Sequence, residues 1–226
     1  MQFSFHRHQR LWEQIHTTID SIDLAHDRQH IFRVYRWALR LAPEANADPD
    51  LCGAAALLHD IINIPKESID RPLGSELSAI EGAKHLPIAG YTEPETATIV
   101  DGIRTCSWSK GLEPTNPIGV VLQDADRLDA IGAVGIMRNI ACAQAMSSRG
   151  KSGTFYHPSD PLGQTTRKLN DKTYAIDHFS IKLLRLCDGM RLATAKIEAQ
   201  KRHAAMLSFL TDLQREVMTT DPTLLH

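Results

Sequence analysis

The 226-residue chain contains no run approaching the roughly 20 apolar residues that a membrane-spanning helix requires. Its first residues, MQFSFHRHQRLWEQ, are too polar for the core of a signal peptide, so the expected compartment is the cytoplasm. Cys52, Cys106, Cys142 and Cys187 are widely spaced and include no CxxC pair. That spacing argues against a zinc knuckle or a disulfide framework and leaves the cysteines as small buried hydrophobes. Positive charge is not in excess: 25 Lys and Arg face 27 Asp and Glu, a net charge of -2. General binding to nucleic acid or to a membrane surface is therefore not expected. Sustained alternation of apolar and polar residues is missing too, which removes the usual sign of a half-buried strand.

What is present is a succession of apolar-periodic segments separated by short breaks rich in Pro, Gly, Asn and Asp. This pattern predicts an all-α protein, and the length favours a single domain spanning residues 1–226. Helices are expected near 6–21, 27–42, 49–63, 74–86, 92–105, 117–147, 171–186 and 189–219. One long irregular stretch, 147–171, clusters Gly, Ser, Thr and Pro and reads as a lid, a partner-contacting loop or a disordered segment. His157 within it is expected at the surface. His6 and His8 form an HxH near the amino terminus, where fraying is expected in place of metal binding.

Three segments carry polar groups where apolar ones belong. In AHDRQHIFRVYRWALRLA, residues 25–42, His30 shares a helical face with Val34, Trp37, Ala38 and Leu41. In DLCGAAALLHDIINIPKES, residues 50–68, His59 and Asp60 interrupt Leu57-Leu58 and Ile61-Ile62. Burying an imidazole beside a carboxylate there is costly unless the two pair or hold a cation. In VLQDADRLDAIGAVG, residues 121–135, Asp124, Asp126 and Asp129 crowd an apolar run, and repulsion among them calls for positive charge. Arg127 offers part of it; a divalent cation offers more. Read in order, His30, His59, Asp60 and Asp126 make a mixed N/O donor set suited to one divalent ion such as Mn, Mg, Ni, Co, Fe or Zn.

This order resembles the HD superfamily of metal-dependent phosphohydrolases, named for the adjacent His-Asp pair. The likeness is greatest to small single-domain bacterial members that share an AHDxxHxxRV opening, here Ala25-His26-Asp27, His30, Arg33 and Val34. QDADRLDAIGAVGIMR (123–138) and YAIDHFSIKLLRL (174–186) extend the similarity over about residues 20–205, with helical extensions at both ends. The resemblance implies an all-α HD bundle with His30, His59, Asp60 and Asp126 as metal ligands. It implies hydrolysis of a phosphate ester or anhydride, the substrate being a small phosphorylated molecule of nucleotide type. Such relatives often carry AHSFS before the QDAD phrase, whereas this chain has Thr105-Cys106-Ser107-Trp108-Ser109. Cys106 thus stands where a histidine is expected, and a one-metal site follows.

Asp60 is expected to orient or deprotonate the attacking water as well as bind metal; which carboxylate acts as base is left open by the sequence. Lys66, after the helix-ending Pro65, is the first candidate for phosphate binding, with Arg71 and His26 behind it, and Arg33, three residues after His30, is placed to position a ligand or a phosphate. Lys182 is a further candidate, weighed against an ordinary exposed helix lysine. Asp27 and Asp124 are expected to accept the remaining N–H of ligating histidines. The spacing of Gly132 and Gly135 reads as close helix packing. The apolar tail around Met206, Leu207, Phe209 and Leu210 is expected either to pack on the core or to form a homodimer. Other readings of the same residues are an iron oxygenase, an HD domain that binds a nucleotide or protein without turnover, and a purely structural metal site.

Overall fold

The computed structural model describes residues 2–19, 23–150 and 153–218. Nine α-helices run in the order α1 (His6–Ile15), α2 (Arg28–Leu41), α3 (Pro49–Leu58), α4 (Gly74–Ala89), α5 (Glu93–Arg104), α6 (Pro117–Asp129), α7 (Gly132–Ser148), α8 (Asp177–Ile181) and α9 (Ala193–Met218) among the described residues. The class is all-α, and no strand forms there beyond two isolated bridges, Thr154 with Tyr174 and His157 with Asp160. No helix is long and apolar enough to cross a membrane among the described residues.

Local signals start most of these helices. Asp27 accepts the backbone N–H of His30 at 2.9 Å and caps α2. Asp48 does the same for Asp50 ahead of Pro49 in α3, and Asn116 holds Gly119 N ahead of Pro117 in α6. Thr92 and Glu95 form a reciprocal capping box at α5. Each cap satisfies amide donors that the first turn leaves without partners.

The helices α2, α3, α5 and α6 pack about one core in which Ile31, Val34, Tyr35, Leu57, Leu58, Ile103 and Leu122 are fully buried. α3 is so rich in Ala that neighbouring helices approach closely. At Gly53 a Cβ would stand 2.3 Å from Cε1 of His8, so the absence of a side chain admits that imidazole. His8 is not part of a frayed end: it is buried, with Nδ1 2.8 Å from the Tyr35 hydroxyl and Nε2 2.7 Å from the Asp50 carbonyl. The HxH pair is thus split between the core and the surface.

Several expected boundaries differ. The segment 117–147 is two helices, because Ile131 is extended and Gly132 takes φ +77°, a left-handed conformation that breaks the run. α1 ends at Ile15 and α3 ends at Leu58, immediately before His59. The segment 171–186 is helical only over short turns, and α9 starts at Ala193. Residues 20–21 and 219, expected at helix ends, lie outside the described residues, as do 151–152 of the long loop. Beyond those two, the loop is pinned: the Arg167 guanidinium bonds both oxygens of buried Asp177 at 2.6 and 2.7 Å and Asp160 at 2.9 Å. Thr154 and Thr173 add a backbone hydrogen bond of 2.8 Å that ties its two ends together.

Candidate active site

His30 projects from the middle of α2 and is fully buried. Its Nδ1 lies 2.8 Å from Oδ2 of Asp129, so the carboxylate takes that N–H and Nε2 keeps a lone pair. His59 follows the last turn of α3, and its Nδ1 donates to the Ala56 carbonyl at 2.8 Å, leaving its Nε2 with a lone pair as well. The two Nε2 atoms face each other at 3.2 Å. Two acceptors at that distance repel unless something positive lies between them. Oδ2 of Asp60 stands 3.3 Å from the His30 Nε2 and 3.7 Å from the His59 Nε2, and Oδ1 of Asp126 is 3.9 and 3.8 Å from the same atoms. Donors held about 2.1 Å from a common ion stand about 3.0 to 3.4 Å apart, so His30, His59 and Asp60 fit a single divalent cation, with Asp126 at the edge of the set. His30, His59 and Asp60 make up the tightest part of the cluster, their donor atoms all within 4.8 Å of one another.

Asp129 anchors this arrangement from behind. Besides His30 it accepts hydrogen bonds from Arg33 Nε at 2.6 Å and Arg138 Nη1 at 3.0 Å. Burial alone would raise its pKa; the bonds from His30 and Arg33 prevail and hold the carboxyl well below its usual range. Asp60 is likewise held low, the nearby histidines, His59 first, opposing the effect of burial.

Asp60 and Asp126 open onto a cavity of about 340 Å³ whose lining includes the cationic side chains Lys66, Arg71, Arg138, Lys172 and Lys182. Lys182 sits with its ammonium 5.5 Å from the Trp108 ring centroid, and it faces this cavity instead of bulk solvent. Burial, then repulsion from Lys66, pushes its pKa down to about 8. Arg71 also braces the segment after His59-Asp60 by donating to the Ile64 carbonyl at 2.5 Å. His26 lines the cavity with Nδ1 on Asp23 at 2.8 Å; burial outweighs that partner and lowers its pKa to about 4. Cys106 borders the cavity, and burial, reinforced by Asp126 and Asp60, pushes its thiol far up, the state of a neutral packed side chain.

Three expected roles are corrected by the geometry. Arg33 is not among the groups lining the cavity, so the phosphate role falls away; its guanidinium holds Asp129, which in turn holds His30, and that is the ligand-positioning role. Asp27 holds the backbone N–H of His30 and not its ring. Asp124 is buried on another side of α6, where it accepts the backbone N–H groups of Arg191 and Leu192 at 2.8 to 3.1 Å and fixes the entry to α9. Asp129, three residues beyond Asp126, does what Asp124 and Asp27 were expected to do. Arg138 and the pair His178–Asp171, also at the site, carry no distinguishing signal in the sequence, because their positions depend on α7 and α8 folding back over the cavity.

A model of the HD domain family matches residues 28–131, which contain His30, His59, Asp60, Asp126 and Asp129. The chain belongs to the HD domain family. It is similar to the protein YpgQ of Bacillus subtilis, at 33% identity over 217 residues that cover 92% of this chain and 95% of YpgQ. A crystal structure of YpgQ in complex with ADP superposes with a TM-score of 0.68 at 31% identity, covering 95% of this chain and 99% of that one. An HD-superfamily hydrolase from Bacillus thuringiensis gives a TM-score of 0.62 at 27% identity, covering 93% of this chain and 100% of its own.

Proposed function

We propose that this protein is a metal-dependent phosphohydrolase that cleaves a phosphate ester or anhydride of a nucleotide. The observation that carries this reading is the junction of two opposite environments. A compact donor set, His30, His59, Asp60 and Asp126, opens directly onto a cavity lined by Lys66, Arg71, Arg138 and Lys182. Carboxylates and imidazoles hold a cation, ammonium and guanidinium groups hold phosphate, and a phosphorylated substrate spans both. The ADP bound to YpgQ supports a nucleotide as the substrate.

A divalent cation bound by these four residues supplies Lewis acidity toward a phosphate oxygen and lowers the pKa of a water molecule. The remaining work belongs to the side chains. Lys66 and Lys182 neutralise the phosphate oxygens and orient the phosphorus toward the carboxylates. Arg138 joins the site to Asp129, so that phosphate binding and histidine orientation share one guanidinium. Asp60, kept ionised, accepts the proton that the attacking water loses.

The test is a hydrolysis screen on chelator-stripped protein. It crosses Mn, Mg, Ni, Co, Fe and Zn with a nucleotide panel and resolves phosphate from pyrophosphate release. Metal-dependent turnover that vanishes in His59→Ala is the expected result. Silence across the panel despite tight metal binding would replace this reading with a binding-only HD domain.

A further inference from the structure

Resting on the phosphohydrolase reading, a second acid-base device stands in the same cavity, apart from the metal-ligating set. Nδ1 of His178, on α8, lies 2.7 Å from Oδ2 of Asp171. The carboxylate accepts the Nδ1–H, which fixes the ring's tautomer and orientation, and the side chain is only 15% exposed. Both residues line the cavity that Asp60, Asp126 and Lys182 also line. Nε2 has no hydrogen-bond partner among the described residues. A histidine so held has one nitrogen committed to its orienter and one available to a substrate, the arrangement expected of a proton-transfer group.

We propose that His178, held by Asp171, protonates the leaving oxygen as the phosphate ester or anhydride is cleaved. The water oxygen forms its bond to phosphorus while the bond from phosphorus to the leaving oxygen breaks. The electron pair of that bond stays on the leaving oxygen, which takes the proton from Nε2 of the imidazolium. The ring is left neutral, and the proton released by the water returns to it through solvent, so the net reaction consumes one water.

The charged neighbours explain how one ring can be neutral in the empty cavity and acidic when substrate is present. Burial lowers the His178 pKa, and Lys66 and Lys182 lower it further, against the pull of Asp171. Arg71, Arg138 and Lys172 add positive charge around the cavity, and Asp60 and Asp126 add negative charge to its lining. Phosphate oxygens placed between Lys66 and Lys182 offset the repulsion those two exert, so the imidazolium is favoured when there is a leaving group to receive its proton. Asp171 acts through His178 and is a positioning residue.

A leaving-group series decides the matter. His178→Gln is compared with the unmodified holoprotein on monophosphate esters from 4-nitrophenyl phosphate, whose leaving group needs no proton, to simple alkyl phosphates, whose leaving group does. The expected loss is about a hundredfold or more on the alkyl esters and less than about tenfold on the nitrophenyl ester. Asp171→Asn should show the same dependence on leaving group with a smaller amplitude. Uniform loss across the series from an active parent overturns this proposal and leaves the phosphohydrolase reading standing. Silence of the unmodified protein on all esters and nucleotides overturns both. Should His178→Gln fail to fold, titration of the His178 ring by NMR in the unmodified chain carries the test. Inorganic pyrophosphate should raise its midpoint, and an unmoved or lowered midpoint overturns the proposal.

Discussion

Oδ2 of Asp129 lies 2.8 Å from Nδ1 of His30, and this contact governs a nitrogen on the opposite edge of the ring. As a carboxylate, Asp129 only accepts, so Nδ1 carries the proton and Nε2 of the neutral ring is the atom that offers a lone pair to a cation held among His59, Asp60 and Asp126. Arg33 and Arg138 hold the carboxylate in turn. The orientation of one candidate ligand is therefore built by residues from α2, α6 and α7 together.

Asp129→Asn tests this relay. The amide can donate to Nδ1, which moves the proton to Nε2 and removes a donor from the site. Metal affinity measured by calorimetry should fall about 10- to 100-fold while the helical content is kept. Unchanged affinity would show that His30 is oriented by packing alone.

Lys66 and Lys182 should act on substrate and not on metal. Lys66→Ala is expected to raise KM about tenfold or more, with metal content unchanged by elemental analysis. Loss of metal in that variant would join two roles that the geometry keeps apart. For Lys182 the pKa of about 8 gives a pH signature. Its ammonium is the phosphate-binding form, so kcat/KM should decline as pH rises through about 8. Lys182→Met should lack that alkaline limb, and a profile identical to the parent's would exclude Lys182 as its source.

Acid stability should depend on a buried cluster remote from the cavity. Burial would raise the Asp50 pKa, but hydrogen bonds from His8, Tyr91 and Arg7 lower it from 3.8 to about 2. A depressed carboxylate pKa contributes stability that is complete above the unfolded value and is lost as pH falls from about 4 toward about 2. Asp50→Asn should cost about 2 kcal/mol at neutral pH and flatten the acid limb of a denaturation series. An unchanged acid limb would move the responsible group elsewhere.

The break between α6 and α7 should be sensitive to one methyl group. A Cβ at Gly132 would lie 2.9 Å from Cβ of Arg202, at a residue already in the left-handed region with φ +77°. Gly132→Ala is expected to cost about 1–2 kcal/mol in thermal or chemical unfolding. A neutral result would mean that the break relaxes into the continuous helix that its apolar pattern resembles.

Much of this protein can be read from residue order because the governing interactions are local. An apolar stripe of helical period, with Asp27 ahead of it, marks α2 within a residue at each end. Polar residues inside apolar runs mark His30, His59, Asp60 and Asp126, since desolvation makes such placements costly without a partner. The three close aspartates show where locality stops. At about 100° per residue, Asp124 lies some 200° from Asp126, whereas Asp129 lies within about 60° of it. Helix geometry alone therefore separates the first from the other two, yet it does not say which residue waits on either side.

That Asp129 meets His30, 99 positions away, and that Asp124 meets Arg191 and Leu192 are facts of tertiary packing. The same holds for the turn at Gly132, where the apolar pattern continues without interruption while the backbone changes hand. Lys182 reads as an ordinary helix lysine until α8 sets it over Trp108 in the cavity, and His178 gains its partner only because the preceding segment is pinned through Arg167. Helical class and the identity of the costly buried polar groups are written in the sequence, because periodicity and desolvation act on each segment separately. Which of those groups face one another, and so which chemistry they share, is decided only by the folded chain, because hydrogen bonds and charges act through distances that sequence separation does not measure.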